Sequence, residues 1–225
     1  GQHYARISEG VRDPVTATAL ALAAGAGGTE RVIFISCDLV SISDALRDAV
    51  RACICEAVPE LSADAIVLNA THTHTAPLSR LGLFSMSSFR ANSDSRPQPP
   101  AAPMARQQGA AATPDAGPEL MREIDLPAME ASAYIAWASR RIADAAIAAW
   151  RGRAPGSVGY ALGQAVVGRN RRSVYGIGES RMYGNTAADD FSHIEGYEDH
   201  SVNLLAAWDA AGRLTGVIVN VPCPA

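Results

Sequence analysis

The feature that most constrains this chain is the apolar run Ile66, Val67, Leu68. It stops on Asn69, Ala70, Thr71, His72, Thr73, His74, Thr75, Ala76 and Pro77. A continuous run of branched apolar residues bounded by polar ones predicts a strand buried on both faces. In α/β sheets, functional groups collect beyond the carboxyl ends of strands, where loops project side chains from a rigid base. If the extended backbone continues through the motif, His72 and His74 share one side, about 7 Å apart at roughly 3.3 Å rise per residue. Thr71, Thr73 and Thr75 then face the other way, within reach of a ring nitrogen or of backbone. Two imidazoles at one strand end suit one metal ligand plus either a second ligand or an acid/base group. A single histidine is more often a satisfied polar residue. Here the pairing at a strand terminus, closed by Pro77, is what points to chemistry, and spacing alone does not name the metal.

The same logic operates upstream. An apolar strand over residues 31–36 exits through Cys37 to Asp38, and a helix predicted over residues 44–58 carries the stripe Leu46, Val50, Cys53, Ile54, Ala57 before Pro59 stops it. Ser41, Ser43 and Asp44 crowd the intervening loop, and one of them must cap that helix; Asp38 itself reads either as a site carboxylate or as a cap. Strand, crossover helix and strand make a βαβ unit with parallel strands, so Asp38 and His72 are expected to leave the sheet on the same edge.

The remaining elements complete the layout. Residues 15–22 alternate in a β manner and, across the glycine turn at 25–28, form a hairpin with residues 31–36. Residues 84–127 shift to Pro, Ala, Ser, Gln and Gly, which reads as an insertion, an active-site cover or a linker. A helix over about 130–151 shows Tyr134, Ile135, Ala138, Ile142, Ala145, Ala149 and Trp150 at helical spacing, so it covers the sheet. A strand over 158–167 runs into Gly168, Arg169, Asn170, Arg171, Arg172. These arginines read as a clamp for an anion or carbonyl oxygen, or as a solvated basic turn. Glu198, Asp199 and His200 precede a second hairpin, residues 201–208 with 215–221. The fold class is therefore α/β: a mixed β-sheet with crossover helices packed on it and an antiparallel hairpin at each end of the chain. Residues 1–225 read as one domain interrupted at about 84–127.

Composition removes several function classes. With 48% hydrophobic and 19% charged residues the chain is ordinary for a globular protein, and a net charge of -4 with no basic run argues against nucleic acid. No stretch approaches the roughly 18 apolar residues of a membrane span. The chain opens at Gly1 without Met or a leader, so a signal peptide is expected to have been removed or left out. Cys37, Cys53, Cys55 and Cys223 form no metal or disulfide framework and are expected to be free, mostly buried thiols.

Residues 69–77 resemble the Thr-His-Thr-His segment of the neutral/alkaline, non-lysosomal ceramidases, which are zinc-dependent amide hydrolases. The strand ending in Ser36, Cys37, Asp38, Leu39 is similar to that family's Ser-X-Asp-Leu strand end, and Asn170 with Arg171 matches an Asn-Arg pair whose arginine belongs to the active site. The resemblance implies the N-terminal part of a Zn2+-dependent amidohydrolase. In it His72 ligates zinc, His74 orients substrate or shuttles a proton, Arg171 stabilises the oxyanion, and Asp38 belongs to the catalytic group. Cys223 stands where the family has its second zinc-binding histidine, so a thiolate would replace an imidazole. The family's glutamate and tyrosine ligands and its serine lie further along a longer chain, making the remainder of such a chain an expected partner. The implied substrate is a small-molecule or lipid N-acyl compound, N-acylsphingosine or another, and the implied location is secreted or periplasmic. The alternatives are a non-catalytic binding module on the same fold, a truncated inactive fragment, or a cysteine hydrolase using Cys223 and His200.

Overall fold

A computed structural model describes residues 8–79, 129–176 and 178–223. The Pro-rich stretch at 84–127 lies outside the described residues. The first sheet contains β1 (Ala17–Ala24), β2 (Glu30–Cys37) and β3 (Ile66–Ala70) in that spatial order. β1 and β2 form the expected antiparallel hairpin, and β2 pairs with β3 in parallel through α1 (Asp44–Ala57), giving the βαβ unit.

Register explains which face is buried. Ala19, Ile35 and Leu68 lie side by side across the three strands, as do Ala21, Ile33 and Ile66. Ile33, Ile35 and Ile66 are fully buried in one core with Leu46, Val50 and Ile54 of α1 and Ala138, Ile142, Ala146 and Trp150 of α2 (Ala131–Arg151). Burying apolar side chains at period two on the strands and period 3.6 on the helices is what joins these layers. The expectation that β3 is buried on both faces is corrected: Val67 is 40% exposed, because β3 sits at the margin of the described sheet and only its helix-facing residues meet the core.

The second half of the chain is antiparallel. β4 (Gly156–Gln164), β8 (Ser201–Asp209) and β9 (Leu214–Asn220) make one sheet, and β8 with β9 is the expected terminal hairpin. β5 (Arg172–Tyr175), β6 (Glu179–Met182) and β7 (Phe191–Ile194) make a small third sheet around the buried Tyr175. Gly216 of β9 meets Leu20 of β1, where an added Cβ would stand 3.3 Å from Leu20 Cδ1. The missing side chain there lets the two larger sheets approach. None of the four cysteines is in a disulfide among the described residues; Cys37 is buried and Cys53, Cys55 and Cys223 are half-buried. Among the described residues no helix is long and apolar enough to cross a membrane.

Candidate functional site

The buried alternation of β2 continues one step beyond its end. Cys37 and Leu39 are 1% and 3% exposed, which turns Asp38 between them away from the helices. Asp38 Oδ2 accepts from the Thr16 hydroxyl at 2.7 Å and the Thr16 amide at 2.9 Å, and Oδ1 accepts from the Thr71 hydroxyl at 3.3 Å. The Thr16 hydroxyl first, then its amide, hold the carboxyl below the usual carboxylate range, against the opposing effect of burial. Asp38 is thus a charged tie between the start of β1 and the exit of β3. Beside it, burial and then the Asp38 charge push the Cys37 thiol up to about 11, so this sulfur stays protonated.

The two strand exits are laced together, as the parallel crossover requires. Thr71 N donates to Cys37 O at 3.0 Å and His72 N to Leu39 O at 3.0 Å. His72 Nδ1 lies 2.7 Å from Val40 O. A carbonyl can only accept, so Nδ1 carries the proton and the neutral ring keeps its lone pair on Nε2. Further along, Ser79 is 1% exposed; its hydroxyl donates to Ser41 O at 3.2 Å and its carbonyl accepts from Ser43 Oγ at 2.6 Å. Ser43 is also the cap of α1, accepting from Leu46 N at 3.3 Å, which decides between the capping candidates of this loop.

The histidine geometry differs from a continued strand. β3 ends at Ala70 and His72 takes a left-handed φ of 67°, so the chain turns within the motif. The rings of His72 and His74 consequently meet edge to face with centroids 4.9 Å apart at 85°. His72 is half-buried and His74 exposed. The threonines do not form one opposing row: Thr71 reaches Asp38, while the Thr73 and Thr75 hydroxyls bond each other at 3.1 Å.

Arg171 and Cys223 lie in a cleft of about 370 Å³ whose lining also includes Arg169, Asn170, Tyr197, Glu198 and Asp199, but not His72 or His74. Asn170 organises it. Its amide donates to Glu198 Oε1 at 2.7 Å, its Nδ2 donates to Glu195 O, and its Oδ1 accepts from Arg172 N at 3.0 Å. Arg171 Nη1 donates to Tyr183 Oη at 2.5 Å, and its guanidinium lies 5.0 Å from the Tyr183 ring centroid. Tyr183 adopts a left-handed φ of 56°, and its amide donates back to Arg171 O at 2.8 Å. His200 Nε2 stands 3.7 Å from Glu198 Oε2, and its Nδ1 is buried with no hydrogen-bond partner among the described residues.

The structure therefore brings Asp38, His72 and His74 together at one pair of strand exits and Arg171 with Cys223 in one cleft. Sequence reasoning did not single out Val40, Ser79 or Tyr183. A backbone carbonyl acceptor carries no side-chain signature, and the two side chains become partners only through contacts distant in sequence.

For zinc, the Val40 bond fits His72 as a ligand, since a carbonyl on one ring nitrogen fixes the tautomer and aims the other. Cys223, the other expected ligand, lies in the arginine cleft, whose lining does not include His72. Among the described residues no group of three or more His, Cys, Asp or Glu is arranged to hold a metal ion, so a full ligand set needs donors beyond them.

No protein-family model and no curated protein matches this sequence. Among solved structures, a ceramidase complexed with C2 matches with a TM-score of 0.53 and 19% identity, over 92% of this chain and 25% of that one. The likeness is one of fold. The neutral ceramidase from Pseudomonas aeruginosa gives a TM-score of 0.48 and 18% identity, over 87% of this chain and 24% of that one. The present chain spans about a quarter of the length of the ceramidase structures it matches.

Proposed function

We propose that this chain is part of a zinc-dependent hydrolase of N-acyl amides, with His72 as a metal ligand and Arg171 as the donor to the oxyanion. The observation that carries it is the 2.7 Å contact of His72 Nδ1 with Val40 O, which leaves Nε2 as the free electron pair at the exit of a core strand. The likeness in fold to a ceramidase supports the reaction class and a lipid or small-molecule N-acyl substrate.

When bound, zinc supplies a water of pKa about 7 and polarises the scissile carbonyl. His72, with donors beyond the described residues, would hold it. His74, exposed and edge-on to His72, would orient the substrate or take a proton from the attacking water and give it to the leaving nitrogen. Arg171, steadied by Tyr183, donates to the carbonyl oxygen as its negative charge grows. Asp38 positions the His72 loop through Thr71 and does not itself exchange protons near neutrality.

The test is elemental analysis of the full-length protein together with hydrolysis of an N-acyl amide. Stoichiometric zinc is expected in the native protein. Altering even an outer-shell partner of a metal costs up to about 100-fold in affinity or activity, so His72→Ala is expected to lose the zinc and at least that much hydrolysis. Zinc retained by His72→Ala would overturn the ligand assignment. A non-catalytic binding module is the second reading, favoured by the lack of a three-donor group among the described residues. It requires a native protein without stoichiometric zinc, and a His72→Ala variant that binds ligand as the native protein does.

A further inference from the structure

The carbonyls of three successive residues in the loop after β2 each take a donor from the histidine loop. Leu39 O accepts from His72 N at 3.0 Å, Val40 O from His72 Nδ1 at 2.7 Å, and Ser41 O from the Ser79 hydroxyl at 3.2 Å. Ser43 completes the seam: its hydroxyl donates to Ser79 O at 2.6 Å and accepts from Leu46 N at the start of α1. Ser79 is therefore the outer anchor of a seam whose middle bond is made by the His72 ring.

Both loops depend on such an anchor. Residues 38–43 lie between the end of β2 and the start of α1, with no strand or helix of their own. His72 holds its left-handed φ of 67°, which a non-glycine residue keeps only where its surroundings fix it. Ser79 is 1% exposed and bonds the opposite loop through both its hydroxyl and its carbonyl. A buried hydroxyl costs free energy unless it is bonded. This one is bonded to the carbonyl next to the one that holds His72. The Val40 and Ser41 carbonyls belong to planar peptides that meet at the Ser41 α-carbon, so fixing one limits how far the other turns.

That orientation matters because a carbonyl only accepts. While Val40 O faces Nδ1, the neutral ring carries its proton there and Nε2 keeps a lone pair. If the carbonyl turns away, nothing selects between the two nitrogens, and an Nε2 that carries the proton has no pair to give a metal.

We propose that Ser79 is a positioning residue for His72: by holding the Ser41 carbonyl it keeps the Val40 carbonyl on Nδ1, so that Nε2 is offered to a divalent cation. The metal role rests on the hydrolase reading, but the choice of tautomer does not.

The experiment is nitrogen NMR of the histidine-labelled, metal-free, full-length protein at mildly alkaline pH, where an imidazole is neutral. The His72 signals are identified by their loss in His72→Ala. The native ring is expected to carry its proton on Nδ1. Ser79→Ala is expected to shift the tautomer ratio toward Nε2–H by up to roughly ten-fold, the net worth of one hydrogen bond at most. Ser79→Thr, which keeps the hydroxyl, is expected to retain the native ratio. Ala146→Leu, which strains the core away from the seam, is expected to leave the ratio unchanged although it lowers stability. A folded Ser79→Ala protein with the native ratio would overturn the proposal, and so would a ratio that shifts as much in Ala146→Leu, since the effect would then follow global stability. Chelator competition on the same proteins reads the metal role: Ser79→Ala is expected to hold zinc about ten-fold more weakly, the lower end of what loss of a partner outside the ligand shell costs. A native protein without zinc, together with a tautomer that depends on Ser79, would uphold the positioning and overturn the hydrolase reading alone.

Discussion

Asp38 and His72 show how much one side chain's role depends on its partners. A carboxylate at a strand exit reads as a catalytic candidate, yet its oxygens are taken up by Thr16 and Thr71. Its carboxyl titrates below the range of the unfolded chain, so these bonds stabilise the fold above that range and stop doing so as pH falls through the folded value. Asp38→Ala is therefore expected to lower stability by about 1 kcal/mol at neutral pH, water at the exposed Thr16 replacing part of what is lost. Urea unfolding between pH 7 and 3 checks this, since the variant should lose stability less steeply in acid than the native protein. His72 was legible as a residue of interest from its place after an apolar strand. Its tautomer was not, because the Val40 carbonyl that decides it lies 32 positions away in sequence.

At the scale of elements, the βαβ unit does more than place two strand ends together. Cys37, Leu39, Val40, Ser41 and Ser43 on one loop are bonded to Thr71, His72 and Ser79 on the other. The histidine motif is thus held by the neighbouring exit, not by continuation of its own strand. Ser43→Ala removes both the α1 cap and the donor to Ser79 O, and is expected to cost about 1–2 kcal/mol. Ser79→Ala, with a single donated bond lost at a buried site, is expected to cost about 1 kcal/mol. The two should not add in a double-mutant cycle, because they share the contact between them. Both helices, the first sheet and the strands of the second were readable because period two and period 3.6 are written in the apolar residues themselves; the short strands β5, β6 and β7 were not, because their few residues carry no such pattern. The turn inside the histidine motif was not, because the left-handed backbone at His72 follows from bonds to Leu39 and Val40 rather than from a glycine.

Across the whole molecule, α2 secures the layers: Ala146 is fully buried where this helix joins the common core. Ala146→Leu is expected to destabilise by about 1–3 kcal/mol through overpacking, read as a lower urea midpoint without a change of slope. On the opposite face of the first sheet, Gly216 lets β9 approach Leu20, which no periodicity would have revealed. The sequence by itself determined the order and type of the main elements, the parallel return from Asp38 to the histidines, and the arginine turn after β4, because each follows from local pattern and short-range chain geometry. Tertiary structure alone decided that Asp38 is a tie, that His72 offers Nε2, and that Cys223 shares its cleft with Arg169 and Arg171. Each of those outcomes depends on an oxygen, nitrogen or sulfur brought close only once the layers have packed.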